Sequence, residues 1–311
     1  MICSCEQIPG WKFHINSSAN NIVILPDFSR RCPRVDPDDH HLYATLGCAI
    51  ENIVVASPAH GLEVRSADTS NPKEGIQLEF SPCEPHVSGL FKAIPNRQCT
   101  RSKYDGAPLT AEELEMLQLA GTGDGVKTLL LIDETSIEEA LEFIVKANTA
   151  QIDNPEWVQE LKKWIRFGNA EAVDSGDGLF EKCMGSPTVP RWIGSHIFNL
   201  VLRSSSENAK IRQHVKSSSG LAVIVSDKDD VQHWIEAGRS YERFALQATV
   251  LGIRNSFLNQ PVEVASIRPA FARSLGLDEN SRPDLVIRFG RGKEMPRSLR
   301  RPLDSVTKYV N

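Results

Sequence analysis

The clearest hydrophobic pattern in the chain occurs twice, in two long segments whose apolar side chains recur at helical spacing. Leu46 and Ile50 lie one turn apart in the first segment, and Tyr241 begins the same pattern in the second. A short apolar run typical of a buried strand precedes each segment, at 22–25 and at 221–225. The pattern therefore predicts two strand–helix units of similar design.

The two predicted helices also resemble each other residue by residue. Positions 46–62 and 237–253 align without a gap and share a Gly, a Glu four residues later and a Gly fourteen residues after the first, as Gly47, Glu51, Gly61 and Gly238, Glu242, Gly252. Chance similarity between two amphipathic helices is the alternative. We interpret the match as two related halves, one over 1–88 and the other over 89–311.

Further elements are predicted between and after these units. Capping signals and apolar runs indicate helices at 110–119, from Thr135 onward and at 264–275, and strands at 126–133 and 284–289. The stretch 148–219 differs, because Trp157, Trp164 and Trp192 alternate there with glycines and prolines. Such a composition favours short helices joined by irregular turns, and we interpret 148–219 as an inserted flap.

Composition excludes several classes of protein. The chain has 311 residues, of which 41% are hydrophobic and 24% charged, as in an ordinary soluble globular protein. No apolar run approaches the ~18 residues of a membrane helix, and the start carries no export signal, so a cytoplasmic protein is expected. The seven cysteines are an odd number without metal-ligand spacing, which disfavours both a disulfide framework and a zinc site.

The charge distribution is uneven. The 35 basic and 40 acidic residues leave a net charge of −5, yet positions 282–301 hold seven basic residues against two acidic ones. A second basic stretch, 86–104, contains no carboxylate. These arginines either form ordinary solvated surface or build a localised anion site, and a compact phosphate suits them better than nucleic acid, since the chain is acidic overall.

Other candidate motifs are weaker. The glycines at 121, 123 and 125 precede a strand instead of following one, which argues against a dinucleotide-binding loop. The histidines, including the adjacent pair His40 and His41, show no ligand or triad spacing. We therefore predict no metal site and name no catalytic side chain.

Three segments carry a resemblance to a known family: 94–109 (IPNRQCTRSKYDGAPL), the loop 259–263 with its Asn-Gln-Pro, and the tail 288–302 (RFGRGKEMPRSLRRP). They resemble the nitroreductase family of FMN enzymes, and within it the Acg-like branch. This resemblance implies an α+β fold with a mostly antiparallel central sheet flanked by helices. It also implies two degenerate halves fused in one chain, as a pseudo-dimeric monomer or a homodimer, with a lid over the flavin pocket.

The resemblance also implies roles for individual residues. The early basic residues Arg97 and Arg101 and the C-terminal pair Arg300 and Arg301 would hold the FMN phosphate. Arg297 would be an auxiliary contact.

Two further positions have implied roles. Cys99 would assist at the phosphate in place of a hydroxyl, and the loop with Asn259 and Gln260 would lie beside the flavin N5 edge. Family members begin with a ring-covering segment that this sequence replaces with a shorter start, around Trp11.

The function implied is transfer of hydride from NAD(P)H, through FMN, to a quinone, a nitro compound or a similar small-molecule acceptor. Neither nucleic acid nor a membrane is expected as a partner. Two alternatives remain open at this point. The flap could close the flavin off from nicotinamide, which would make the protein a flavin-sequestering, redox-inert binder, or the shortened start could leave a product that binds nothing.

Overall fold

A computed structural model describes residues 10–68, 71–185 and 188–310 of the chain. The strands are β1 (Trp11–Asn16), β2 (Asn21–Pro26), β3 (Leu62–Asp68), β4 (Ile76–Pro82), β5 (Val126–Leu131), β6 (Ile165–Arg166), β7 (Leu179–Phe180), β8 (Gly220–Ser226), β9 (Arg254–Phe257), β10 (Arg282–Gly290) and β11 (Thr307–Tyr309). The helices are α1 (His40–Ala56), α2 (Gly89–Ala93), α3 (Ala111–Ala120), α4 (Glu134–Ile152), α5 (Pro155–Trp164), α6 (Asn169–Ser175), α7 (Arg191–Val201), α8 (Ser204–Lys216), α9 (Val231–Val250), α10 (Gln260–Glu263) and α11 (Arg268–Ser274). The predicted α+β class is confirmed.

The first sheet has five strands in the order β11-β1-β2-β4-β3. Every neighbouring pair is antiparallel except β1 and β11, which run parallel with Phe13 opposite Thr307. The Phe13 amide donates to the Val306 carbonyl at 2.7 Å, so the C-terminal tail forms one edge of a sheet built from N-terminal residues. The strand predicted at 22–25 is confirmed as β2.

The second sheet has four antiparallel strands in the order β5-β8-β10-β9. Every residue of β8 and of β10 is buried, as expected for central strands covered on both faces. The strand predicted at 126–133 ends earlier, at Leu131. The strand cannot continue to Asp133, because this side chain accepts the Ser136 amide at 2.9 Å and so caps α4. Helix α4 begins at Glu134 and not at the predicted Thr135.

The helix predicted over 264–275 is wrong in its extent. Within this span the structure has one shorter helix, α11, which begins only at Arg268; a turn at 264–267 separates it from α10, which ends at Glu263. Pro261 and Pro269 each lie in the first turn of a helix, the position that tolerates a residue without an amide hydrogen. A single helix through Pro269 would lose a backbone hydrogen bond, which explains the break.

Helices α1 and α9 cross at the two glycines of the repeat. A β-carbon built on Gly47 would lie 2.0 Å from the Ile235 carbonyl oxygen, and one built on Gly238 would lie 1.8 Å from the Ala44 carbonyl oxygen. The backbones therefore approach more closely than any side chain would allow. The two glutamates of the repeat are also buried near this pair of helices, Glu51 at 4% and Glu242 at 0% exposure.

The helix His40–His60 would be long and apolar enough to cross a membrane if length and composition alone decided. Within the fold it is a core helix: Leu46 and Ile50 pack with Ile24 of β2 and Leu78 of β4 in one buried cluster. Burial of these side chains removes apolar surface from water and holds α1 against the first sheet.

The segment predicted as a flap consists of the end of α4, then α5 to α8 and the small parallel pair β6–β7. Its tryptophans Trp157 and Trp164 are buried in a cluster that includes Cys32 and Val35, which precede α1. An ion pair between Arg30 and Asp177 adds to this contact. The inserted segment thus packs against the loop that leads into α1.

Candidate functional site

Residues from three distant parts of the chain line one cavity of about 260 Å³, which we call the cationic cavity. Arg97 and Cys99 come from the segment after α2, Cys183 comes from the inserted segment, and Arg297 and Arg300 come from the C-terminal tail. The cavity therefore exists only in the folded chain, and it gathers three guanidinium groups at one place.

Local hydrogen bonds hold the segment with Arg97 and Cys99 on the second sheet. Ser88 caps α2, and Pro95 lies in the short 3-10 turn that follows it. Cys99 then pairs with Asn255 of β9 in a parallel bridge, and the Thr100 amide donates to the Asn255 carbonyl at 2.8 Å. The segment is thus anchored at the outer strand of the sheet.

The tail is tied to this same segment. The Gln98 side chain donates to the Met295 carbonyl at 2.6 Å and accepts the Met295 amide at 3.0 Å, which replaces the backbone pairing of a strand. The Arg297 guanidinium donates to the Pro95 carbonyl and, at 3.2 Å, to the Asn96 side chain. These contacts bring Arg297 and Arg300 to the cationic cavity.

A second cavity, of about 200 Å³, adjoins the first, and we call it the aromatic cavity. Its walls include Trp11 of β1 and one face of α1, with the side chains Thr45, Cys48, Ala49 and Asn52. Ile94, Arg97 and Arg300 line both cavities. Together the two form one cleft. Arg297 lies at one end, Arg97 and Arg300 lie where the cavities meet, and an indole, apolar groups, a hydroxyl and an amide lie at the other end.

Charge in the cleft is partly compensated. The Arg97 Nε lies 2.8 Å from Oε1 of Glu242, a fully buried carboxylate on α9. On the opposite wall, burial raises the pKa of the Cys183 thiol, while the positive charges of Arg101, Arg300 and Lys182 oppose that rise. Cys183 is therefore a thiol beside guanidinium groups at neutral pH.

Arg101 and Arg301, also predicted as phosphate contacts, lie outside the cavity lining. Arg101 is buried, at 6% exposure, and its charge acts on Cys183 from within the protein. The Arg301 guanidinium instead donates to the Trp11 carbonyl at 3.1 Å and lies 3.8 Å from Asp27. The tail thus directs Arg300 into the cleft and Arg301 toward the first sheet, and the role of both as phosphate contacts stays a prediction.

Asn259 and Gln260 occupy another place. Both are buried, and the Asn259 side-chain oxygen accepts the Val286 amide at 2.8 Å, which links α10 to β10. Neither residue lines the two cavities. Their predicted position beside a flavin ring stays untested, and the observed contact gives Asn259 a structural role.

Sequence reasoning missed several residues of the cleft, namely Trp11 as a wall, Thr45 and Asn52 on α1, and Cys183. It found Glu242 only as a member of the repeat. The repeat itself contained a signal, because Glu51 also binds guanidinium groups, those of Arg239 at 3.0 Å and Arg243 at 2.9 Å. Two fully or nearly buried carboxylates at equivalent positions require arginine partners.

Arg288 and His214 are two buried basic side chains outside the cavity linings. The Arg288 guanidinium is fully buried, stacks on the Tyr104 ring at 4.0 Å and donates to the Ser102 carbonyl at 2.8 Å. His214 on α8 is 7% exposed, and its Nδ1 has no hydrogen-bond partner among the described residues. Burial, then the charges of Arg288 and Lys210, lower the pKa of His214 to about 4.

This lowered pKa predicts acid sensitivity. The folded protein keeps His214 neutral, whereas the unfolded chain binds a proton below the ordinary pKa of 6.5. Above pH 6.5, neutral His214 therefore makes its full contribution to the free energy of unfolding. As the pH falls from 6.5 toward 4, the free energy of unfolding decreases by about 2 kcal/mol because the unfolded chain binds the proton. Urea unfolding between pH 4 and 8 should show a steeper acid loss for the wild type than for His214→Leu. The exposed-site control His86→Leu should retain the wild-type slope, and equal slopes in all three proteins would contradict the prediction.

Comparison with known proteins gives a consistent picture. No protein-family model matches the chain. Two curated proteins, from Mycobacterium tuberculosis strains H37Rv and CDC 1551, are each 22% identical to it over 96% of this chain and 86% of their own length. Both carry the name "Putative NAD(P)H nitroreductase".

Several solved structures are also similar. An FMN-bound nitroreductase from Desulfitobacterium hafniense has a TM-score of 0.45 and 14% identity, covering 73% of this chain and all of its own. The NADPH:FMN oxidoreductase of Vibrio harveyi in complex with NAD⁺ has a TM-score of 0.40 and 13% identity, covering 69% of this chain and 73% of its own. In sequence, over nearly its whole length, the chain is therefore similar to proteins named as nitroreductases that use NAD(P)H.

Proposed function

We propose that this protein is an FMN-dependent oxidoreductase of the nitroreductase type, which moves hydride from NAD(P)H to a quinone, a nitro compound or a similar small acceptor. The observation that carries the proposal is the two-part cleft, in which three guanidinium groups line the cationic cavity and an aromatic wall lines the cavity beside it. The names of the curated relatives support the same class of reaction.

The residues of the cleft fit the two chemical parts of FMN. A phosphate dianion suits Arg297 and Arg300, because guanidinium groups donate paired hydrogen bonds to phosphate oxygens. A flat ring system with polar edges suits Trp11 and Ala49, with the Asn52 amide as a hydrogen-bond partner. Each cavity alone is below the ~300–1,000 Å³ usual for small-molecule sites, so the cofactor would need both.

When bound, FMN supplies the hydride chemistry, accepting from nicotinamide and delivering to an oxidised acceptor. The chain would contribute binding, orientation and exclusion of water. Cys183 of the inserted segment lines the cationic cavity. Gly176 of the same segment packs closely on the tail, because a β-carbon at this position would lie 3.2 Å from the Arg300 carbonyl oxygen. The inserted segment therefore covers the side of the cleft formed by the tail.

That cover also favours a second candidate function, a flavin-sequestering protein whose closed lid keeps nicotinamide away. The two functions predict opposite results for one measurement. Anaerobic addition of NADH or NADPH to the FMN-loaded protein should bleach the flavin absorbance within the mixing time if the protein is an oxidoreductase. Flavin that stays oxidised would select sequestration, and protein that takes up no FMN would reject both.

The proposal predicts the effect of removing one guanidinium group. Replacing Arg300 with Ala should weaken FMN binding by about 1.5–3 kcal/mol, roughly 10- to 150-fold in the dissociation constant, as for a lost hydrogen bond to a charged group. Quenching of flavin fluorescence in a titration measures the constant directly. Arg65→Ala is the matched control, since Arg65 lies on β3 with its side chain 70% exposed and outside both cavities.

Equal affinity in the wild type, Arg300→Ala and Arg297→Ala would place the phosphate elsewhere. Riboflavin, which lacks the phosphate, separates the two ends of the cleft. The wild type should bind it more weakly than FMN, and Arg300→Ala should bind it as the wild type does. If Arg300→Ala weakens riboflavin and FMN equally, the arginine supports the cleft without contacting phosphate.

We also propose that 1–88 and 89–311 are related halves, and that the protein works as a pseudo-dimeric monomer in the cytoplasm without a nucleic-acid or membrane partner. Support for the halves comes from the crossing of α1 and α9 at the equivalent residues Gly47 and Gly238. The first half also supplies four of the five strands of the first sheet, and the second half supplies all four strands of the second sheet and the edge strand β11 of the first. The aromatic cavity draws on both halves, with α1 from the first and Arg97 and Arg300 from the second.

A further inference from the structure

A cluster of buried polar side chains lies at the start of α1, and the proposed function gives it no task. Asp36, His40 and His41 are 3%, 1% and 5% exposed. One ligand atom from each of the three lies within 4.8 Å of those from the other two. From this geometry we infer a binding site for one divalent transition-metal ion of the zinc or cobalt kind, made by Asp36, His40, His41 and Glu263.

Glu263 gives the independent observation that points to a ligand. It lies on α10, its side chain is 2% exposed, and its Oε2 accepts a hydrogen bond from the Gln151 amide at 2.6 Å. Its other oxygen, Oε1, is buried without a hydrogen-bond partner among the described residues and lies 3.7 Å from the His41 Nε2. A buried carboxylate oxygen without a donor is costly, and a metal ion would satisfy it.

The hydrogen bonds of the other ligands leave room for an ion. Each carboxylate oxygen of Asp36 accepts one backbone amide, from His41 and from Leu42, at 3.0 Å, and each retains a second lone pair. The His40 Nε2 lies 2.8 Å from Asp284, and that contact leaves the Nδ1 of His40 for a metal. A histidine held by a carboxylate through its other nitrogen is the usual arrangement behind a metal ligand.

More carboxylates than guanidinium groups lie around the two imidazoles. The Arg282 guanidinium lies 3.7 Å from Asp284 and also pairs with Asp229 at 2.6 Å and with Asp38 at 3.0 Å. Arg268 lies 3.6 Å from Asp38. Both guanidinium groups act as positive charges on the two imidazoles. The surrounding carboxylates outnumber them, since Asp36, Asp38, Asp229, Glu263 and Asp284 stand against Arg268 and Arg282. Two imidazoles with two carboxylates form an N/O ligand set that zinc and cobalt accept, and no thiolate is needed.

Cobalt(II) is the probe of choice because its spectrum reports its ligands. The purified full-length protein is treated with EDTA, desalted, kept under a non-thiol reductant and titrated with CoCl₂. We expect one equivalent to bind with visible bands of a low-symmetry N/O site, and without the near-ultraviolet charge-transfer band that thiolate ligands give. The same titration with ZnCl₂ should displace the cobalt and raise the thermal unfolding midpoint.

Variants locate the site. His41→Gln and Glu263→Gln should each weaken cobalt binding at least 10-fold, and His86→Ala, which removes an exposed histidine, should change nothing. Circular dichroism of the metal-free variants shows whether each one folds. If a variant fails to fold, X-ray absorption at the cobalt edge of the wild type decides, since imidazole scattering must be present and sulfur absent.

Three results would overturn the inference. The first is a wild-type protein that binds less than a stoichiometric amount of cobalt. The second is a thiolate charge-transfer band or sulfur scattering, which would assign the ion to cysteines. The third is equal affinity in the folded His41→Gln and Glu263→Gln variants and in the wild type. None of these results depends on FMN binding or on turnover, so the inference and the proposed function can fail separately.

Discussion

Gly238→Ala is expected to destabilise the protein by more than about 3 kcal/mol, because the new methyl group would lie 1.8 Å from the Ala44 carbonyl oxygen. The obstacle is backbone of the facing helix, with the Ala44 carbonyl carbon at 2.6 Å and its Cα at 2.8 Å, so no rotamer change can relieve it. Helices α1 and α9 would have to separate, and the buried side chains between them would lose contact. Urea unfolding followed by circular dichroism measures the loss.

Gly89→Ala is the matched control for this prediction. Gly89 begins α2, and the nearest atoms to its built β-carbon are methyl groups of Val250 at 3.8 and 4.0 Å, which is ordinary contact. Alanine favours a helix over glycine, so this variant should be neutral or slightly more stable. Gly47→Ala should behave like Gly238→Ala. Comparable stability of Gly238→Ala and Gly89→Ala would show that the two helices do not approach as closely in solution.

Asp284→Ala should cost about 3 kcal/mol or more. This fully buried carboxylate accepts the Ser226 amide at 2.9 Å and lies 2.8 Å from the His40 Nε2. Alanine would leave both buried donors without an acceptor, at roughly 1–3 kcal/mol each, and would deprive Arg282 of one carboxylate. Burial raises the pKa of Asp284 to about 7, so urea unfolding at pH 8 tests the charged form.

Asp284→Asn separates hydrogen bonding from cavity formation. The asparagine oxygen can still accept the Ser226 amide, and His40 can present its unprotonated nitrogen to the asparagine amide in the other tautomer. The asparagine variant should therefore retain most of the stability that alanine loses. If the two variants unfold at the same urea concentration, the carboxylate contributes through its charge near Arg282 and not through these hydrogen bonds.

Local patterns were sufficient to predict the main elements. The strands at 22–25 and 221–225 and the helices that contain Leu46 and Tyr241 are confirmed, since hydrophobic periodicity depends on residues a few positions apart. Local patterns could not predict that α1 and α9 cross at Gly47 and Gly238. The repeat showed that these glycines are equivalent, but a contact between residues 191 positions apart has no local signal.

The candidate site shows the same limit. Arg97, Cys99, Arg297 and Arg300, predicted as one group, do line one cavity, whereas Arg301 turns to Trp11 and Asp27. Neighbouring residues outside a helix tend to face different sides, so a pair of adjacent arginines seldom acts as a pair. The cluster of Asp36, His40, His41 and Glu263 was missed because Glu263 is remote in sequence and the adjacent histidines match no ligand spacing.

The parallel pairing of β1 with β11 has a consequence for how the protein is made. Ribosomes synthesise β1 and β2 early, yet the edge strand beside β1 is translated after every other described element. Until then the outer edge of β1 exposes unpaired amides and carbonyls, which can template association with other nascent chains. Chaperone demand and inclusion-body formation should therefore be sensitive to the speed of translation between β1 and β11.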